Sequence, residues 1–378
     1  MMGELTCPTC RAVHALDDIR WRCDCGSFLD ISFQPSLERK KIASRKPTMW
    51  RYREAIPVRG ERNIVTFDEG FTPLLRVMLD GYQVFITADH LFPCFSYKDR
   101  GASVLVSKVR ELGIRAVVED SSGNAGGAIA AYCAGADIPC MIFVPADTSP
   151  GKLAQIRAYG AQLKRVPGTR EDTARAVMLS ARASYYASHA WNPFFFQGTK
   201  TFAYKVWEQL GWKTPDSIVL PAGNGTLVLG AFLGFTELRR AGMIDEIPRI
   251  IAVQSEQCAP LYEAFTTGAA SIPHVEKSDT LAEGIAIADP VRGMQVIQAV
   301  RSTHGDILKV SDAEIMAYTR KMWHLGHYIE IPSGAAIAGT ANYLKSLKDD
   351  EVIVTVFTGS GLKSTEKILR VLDSPAQC

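Results

Sequence analysis

Ser96-Tyr97-Lys98-Asp99-Arg100-Gly101 sets one lysine between a strand-like run, Gln83 to Ala88, and a helix-like run. Ala102, Leu105, Val109 and Leu112 recur at helical spacing and give that helix an apolar face. A lysine at such a junction can be held in one pose and partly desolvated, which frees an amine nucleophile. Three turns carry complementary chemistry. In Asp120-Ser121-Ser122-Gly123-Asn124-Ala125-Gly126-Gly127, small residues let backbone approach a ligand, and free amides at a helix start favour a carboxylate or phosphate. Ser122 and Asn124 add side-chain hydrogen bonds. In Pro221-Ala222-Gly223-Asn224-Gly225-Thr226-Leu227, consecutive small residues aim backbone amides at a phosphate. The third turn, Thr358-Gly359-Ser360-Gly361-Leu362-Lys363, offers a hydroxyl that can face a ring nitrogen.

The second turn has no Walker pattern and no spaced dinucleotide glycines, so a single phosphate monoester fits it better than a nucleotide. An amine for an aldehyde, a cradle for a phosphate and a polar partner for a ring nitrogen together point to pyridoxal phosphate. A separate constellation opens the chain: Cys7 and Cys10, then Cys23 and Cys25. Two close cysteine pairs a dozen residues apart are candidate ligands of a structural zinc, the alternative being a metal-free knuckle. Four protein thiolates leave no open coordination position, so the role is structural rather than catalytic.

The elements that must position these groups alternate along the chain. Strands are predicted at Val84–Thr87, Ala116–Glu119, Cys140–Val144, Gln162–Val166, Ser217–Leu220, Ile250–Gln254, Ile307–Val310 and Val352–Phe357. Helices are predicted between them, at Gly126–Ala134, Lys152–Tyr159, Glu171–Ala183, Thr199–Leu210, Leu227–Arg240, Val291–Ser302, Ala313–Leu325 and Ala335–Leu347. Ser311 and Glu314 form a capping box. Residues Gln34 to Gly60 read as a connecting arm. Repeated βα alternation gives an α/β fold of mostly parallel sheets covered by helices, with ligands bound at the strand-to-helix turns.

The 378 residues allow more than one folding unit, and 47% hydrophobic with 22% charged residues is an ordinary globular composition. A formal net charge of +2 without a long basic run gives no support to nucleic-acid or anionic-membrane binding. No apolar run approaches a bilayer span, and the start lacks a signal-peptide pattern. Nine cysteines, an odd number, fit reduced thiols, so a cytoplasmic protein is expected.

From about Asp68 to Leu372 the chain resembles the fold-type II (tryptophan synthase β-like) pyridoxal-phosphate enzymes, and most closely the threonine synthases; its cysteine-bearing start resembles that of many of them. The hexapeptide is similar to the family's Ser-Phe-Lys-Asp-Arg-Gly, which implies that Lys98 is the Schiff-base lysine. Ser122-Gly123-Asn124 matches the turn whose Asn contacts the cofactor's phenolic oxygen, and whose neighbours, here Ser121 and Ser122, hold the substrate carboxylate. Gly223, Asn224, Gly225, Thr226 and Leu227 match the phosphate loop, and Thr358 matches the hydroxyl residue beside the pyridine nitrogen. Glu283 to Ala286 and Glu330 to Ala335 resemble segments shared with threonine dehydratases.

The resemblance implies two open, mostly parallel twisted sheets flanked by helices. It divides the chain into a zinc-ribbon-like segment (1–33), a large cofactor domain (34–115 and 197–375) and a small, mobile, substrate-closing domain (116–196). It also implies a homodimer acting on a small amino-acid substrate. The activity implied is phosphate elimination from O-phosphohomoserine with water addition to give threonine.

Two segments depart from the family. Before the lysine, Phe92-Pro93-Cys94-Phe95 replaces the usual Asn-Pro-Thr-Gly. Asn192 to Thr201 resembles Asn-Pro-Tyr-Arg-Leu-Glu-Gly-Gln-Lys-Thr, but Phe195 stands for the arginine and Gln197 for the glutamate. Phe195 cannot clamp a phosphate as guanidinium does. Lys152, Arg157 and Lys200 remain as candidate cations, Lys200 being the one the family segment matches. The departure keeps open a threonine or serine ammonia-lyase, or a β-replacement enzyme resembling cysteate synthase on O-phosphoserine. A cofactor-binding protein without turnover is a further alternative.

Overall fold

The computed structural model describes residues 3–373 apart from 169, 348 and 349. Its strands are β1 (Glu4–Thr6), β2 (Val13–Ala15), β3 (Asp30–Ser32), β4 (Leu74–Leu79), β5 (Tyr82–Thr87), β6 (Val117–Glu119), β7 (Cys140–Pro145), β8 (Gln162–Val166), β9 (Tyr185–Tyr186), β10 (Ser217–Pro221), β11 (Arg249–Ser255), β12 (Asp306–Val310) and β13 (Ile353–Val356). Its helices are α1 (Arg39–Ala43), α2 (Lys98–Glu111), α3 (Asn124–Gly135), α4 (Pro150–Ala158), α5 (Arg170–Ser180), α6 (Pro193–Thr199), α7 (Thr201–Gln209), α8 (Thr226–Arg240), α9 (Pro260–Thr267), α10 (Gly293–Ser302), α11 (Asp312–His324), α12 (Ile331–Leu344) and α13 (Thr365–Asp373).

Two sheets carry the body. The larger has the order β12-β11-β10-β13-β5-β4. Its neighbours are parallel except for β4, which returns antiparallel along β5. The smaller, β8-β7-β6-β9, is wholly parallel. Period-two alternation loads both faces of the larger sheet. Ile218, Leu220, Ile250 and Ala252 enter one core with α7 and α8, while Val219, Ile251 and Val253 enter another with α12. The family's two-sheet α/β arrangement is therefore present.

β1, β2 and β3 form a small antiparallel sheet at the start. It does not stand apart: Leu5, Leu16, Trp21 and Leu29 join the core of the smaller sheet. Arg292, just before α10, pins it there. Its buried guanidinium donates to Leu29 O at 2.7 Å, Asp30 Oδ1 at 2.6 Å, Ala190 O at 3.2 Å and Trp191 O at 3.1 Å, between the rings of Phe28 and Phe196.

Two expectations change. The stretch Gln34 to Gly60 is no mere arm: Met49, Trp50, Arg51 and Tyr52 are buried, and Tyr52 donates to Glu208 at 2.6 Å. Its aromatics lack a periodic pattern because they fill separate gaps: Tyr52 packs against Tyr204 of α7, and Trp50 donates to Ser103 of α2 at 3.0 Å. The helix expected over Thr199–Leu210 is α7, and an unexpected helix, α6, precedes it and joins it at Lys200. Asn192 caps α6 by accepting from the Phe194 amide, with Pro193 at its first position. The family-like segment is thus a helix whose Phe194, Phe195 and Phe196 are all buried.

Candidate active site

Ser96 bridges to Gly359, and the Tyr97 amide donates to Thr358 O at 2.9 Å, which ties the lysine to the third turn. Asp99 accepts from the Cys94 amide at 2.8 Å. Arg100, wholly buried, donates to both oxygens of Asp89 at 3.0 and 3.1 Å and to Thr201 at 3.0 Å. Gly101 is required because a Cβ there would enter the ring of Phe195, and Gly198 because its own would meet Arg100 O. α2 and α6 therefore cross at two glycines, and the crossing holds Lys98 rigidly at the first position of α2.

Lys98 is half-buried and aims at the second turn. Its Nζ donates to Thr226 Oγ1 at 3.0 Å and to Tyr97 Oη, and those two oxygens lie 2.8 Å apart. Thr226 opens α8, whose first turn receives no side-chain cap; Gly225 before it has φ 72°. A Cβ on Gly223 would meet Ile285 Cα at 3.0 Å, and one on Gly225 would enter Val296. An amine, two hydroxyls and the uncapped start of a 15-residue helix form a donor set that fits pyridoxal phosphate. Leu227 is buried in the core below the turn.

The first turn resembles the second. α3 starts at Asn124 with no side-chain cap, whereas α11 carries the expected Ser311–Glu314 capping box. Ser121 and Ser122 flank that start, partly buried, and Ser121 Oγ accepts from the Gly123 amide at 3.3 Å. Gly126 is needed because a Cβ would strike Ser121 O.

Two partners come from outside the motifs. Glu330 is buried, accepts from Asn124 Nδ2 at 2.9 Å through Oε2, and has Oε1 2.8 Å from Thr358 Oγ1. Burial pushes its carboxyl above the usual range. Asn124 and Thr358, from separate turns, thus meet on one carboxyl group. His189 lies between Glu119, 2.8 Å away, and Asn224, 3.2 Å away. Burial lowers the His189 pKa and raises that of Glu119, so desolvation works against charge on both groups. The sequence offered a faint signal for each: Glu330 opens a family-like segment, and His189 follows β9.

Lys200 is not part of this cluster. Its buried ammonium lies 2.8 Å from Glu237 Oε1 and also donates to Gln197. Lys152 is paired at 2.7 Å with Glu283, and Arg157 is exposed on α4.

Away from the turns, the Sγ atoms of Cys7, Cys10, Cys23 and Cys25 all lie within 4.8 Å of one another, with Cys7–Cys25 and Cys10–Cys23 both at 3.5 Å. This spacing and donor set fit a tetrahedral metal held by thiolates.

The sequence profile of the family described as "Pyridoxal-phosphate dependent enzyme" matches residues 65–359. The chain is 32% identical to a threonine synthase of Methanocaldococcus jannaschii, over 98% of this chain and 95% of that one. It is also 32% identical to a threonine synthase of Methanosarcina acetivorans, over 99% and 95%. The processed form of threonine deaminase isoform 2 from Solanum lycopersicum has the same fold, with a TM-score of 0.69, 21% identity and 90% of each chain covered.

Proposed function

Because the chain belongs to the pyridoxal-phosphate dependent enzymes and, within them, to the threonine synthase family, we propose that it releases phosphate from O-phosphohomoserine and adds water to give threonine. It is a pyridoxal-phosphate-dependent lyase of the threonine synthase type. The observation that carries the site assignment is Lys98 Nζ 3.0 Å from Thr226 Oγ1, at the uncapped start of α8. When bound, pyridoxal phosphate supplies an aldehyde for the amino group and a ring that takes up electrons from the α-carbon.

The chain's own residues supply the rest. Gly223, Asn224, Gly225, Thr226 and Leu227 hold the cofactor's phosphate through backbone amides and the Thr226 hydroxyl. Asn124 and Thr358 orient its ring. Ser121, Ser122 and the start of α3 hold the substrate carboxylate. Lys98 binds the cofactor aldehyde and moves protons as general base and acid. Residues 116–196 act as the mobile unit that closes over substrate, against 34–115 and 197–375. α2, grouped with the larger unit, also gives Leu105, Val106 and Val109 to the smaller sheet's core.

Cys7, Cys10, Cys23 and Cys25 hold a structural zinc in this reading, supported by their convergence. The cytosol is the expected compartment, supported by eight unpaired cysteines among the described residues. No described helix is long and apolar enough to cross a membrane. The homodimer rests on family resemblance.

A second reading is favoured by one specific observation. Lys200, the cation matched to the family segment, is committed to Glu237, and Phe195 replaces the family arginine. A hydroxy-amino-acid ammonia-lyase needs no phosphate clamp of that kind. Inorganic phosphate measured against threonine from O-phosphohomoserine decides between them. Stoichiometric release supports the first reading. A 2-oxo acid and ammonia from serine or threonine, without phosphate, supports the second.

A further inference from the structure

We propose that Glu330 is a positioning residue for the cofactor ring, its carboxyl fixing where the Thr358 hydroxyl hydrogen points and thereby keeping the ring nitrogen unprotonated. This rests on the reading above in which Thr358 faces that nitrogen.

Ser333 Oγ accepts from the Thr358 amide at 2.8 Å and from the Gly359 amide at 3.4 Å, which uses both of its lone pairs. Its own hydrogen therefore goes to Thr358 Oγ1, 2.9 Å away. Thr358 Oγ1 keeps one lone pair and one hydrogen, to be shared between Glu330 Oε1 at 2.8 Å and the ring. A carboxylate at Glu330 would take that hydrogen and leave a lone pair for the ring, which would then have to be a pyridinium. A neutral carboxyl instead donates to Thr358, and the Thr358 hydrogen turns to an unprotonated nitrogen.

Burial favours the neutral form. Glu330 and Thr358 are both buried, and Oε2 is already an acceptor for Asn124, which leaves the acid hydrogen on Oε1. The direct side-chain partners of the carboxyl are an amide and a hydroxyl rather than a cation. Lys363 and Lys98 are the charged groups that face it from farther off; they and the hydrogen bonds of Asn124 and Thr358 favour the carboxylate, and burial outweighs them all. No proton has to enter or leave: one hydrogen sits on Glu330, one on Thr358, none on the ring. A ring held in this state is a weaker electron sink, which suits elimination or replacement over transamination.

The test is the 15N resonance of the holoenzyme loaded with ring-labelled cofactor, followed from mildly acid to mildly alkaline pH. The wild type stays at the unprotonated position throughout. Glu330→Gln keeps that position, because its amide nitrogen donates to Thr358 and its oxygen accepts from Asn124. Glu330→Ala shifts the resonance with pH, since nothing then orients the hydroxyl. A protonated ring in the wild type at neutral pH overturns the proposal, and that measurement needs no variant. So does a wild-type titration that coincides with Glu330→Ala. A protein that binds no cofactor at Lys98 removes the reading beneath it as well, and differs from both because no bound resonance appears.

Discussion

The side chain of Asn224, in the phosphate-loop turn, meets His189 Nε2 at 3.2 Å, while His189 Nδ1 faces Glu119 at 2.8 Å. The turn before α8 is thereby tied to the end of β6 in the other sheet. Glu119 Oε2 has no hydrogen-bond partner among the described residues, so this buried carboxyl depends on the imidazole at Oε1. His189→Ala is expected to cost about 1–3 kcal/mol of stability for the stranded group. It should also weaken cofactor retention, and His189→Gln should recover part of both. Chemical denaturation and cofactor release on dialysis measure the two effects. Unchanged retention in a folded His189→Ala protein would limit this contact to stability.

Lys200 and Glu237 form a buried pair at 2.8 Å, and Tyr204 donates to the same carboxylate. Removing one partner strands a charge, so Lys200→Gln should lower stability by about 3–5 kcal/mol. Replacing both with apolar residues should recover most of the loss. KM for the amino-acid substrate should stay at the wild-type value in the double variant. A large rise in KM there would return Lys200 to the substrate site.

Lys98→Ala is expected to fold, since the helix it opens is held by the Gly101 and Gly198 crossing. Borohydride should no longer fix cofactor to the chain, and turnover should fall by at least about 10²–10⁴-fold with the general base gone. Covalent labelling at another residue would refute the assignment.

Burial raises the Asp99 carboxyl to about 7, against roughly 3.9 in an unfolded chain. The folded state therefore holds the extra proton between those values. The stability contribution is complete below about pH 4 and is lost as pH rises through about 7. Asp99→Asn cannot ionise, so its stability should fall less than that of the wild type across this window. Denaturation curves for both proteins at several pH values provide the comparison; parallel pH profiles would count against it.

Cys10 and Cys25 are the exposed members of the cysteine cluster, so serine there removes ligands with little loss of packing. One zinc per chain is expected in the purified protein, and the double Cys10→Ser, Cys25→Ser variant should lose it. Trp21 packs edge-on against Tyr186 and Trp191, so metal loss should red-shift tryptophan emission and lower the melting temperature. A zinc-free protein of equal stability would establish the metal-free knuckle.

What depends on local order was legible in the chain. Lys98 at a strand-to-helix junction, glycines in the turns at 223 and 225, an Asn at 124 and the capping box at Ser311 are short-range signals. Strand and helix periods placed eight of the ten strands of the two sheets with small boundary errors, but missed the edge strands β4 and β9 and the helices α6 and α9. Tertiary structure decided the pairings. Asn124 meets Glu330 206 residues away, and Lys200 meets Glu237 across a helix crossing. A lysine has the same residue type whether solvated or buried, and a glutamate gives no sign of the hydroxyl it will face. Periods of 2 and 3.6 residues report one element's own faces. Which faces meet is fixed only when the cores close, and with it which cation is free and where the Thr358 hydrogen points.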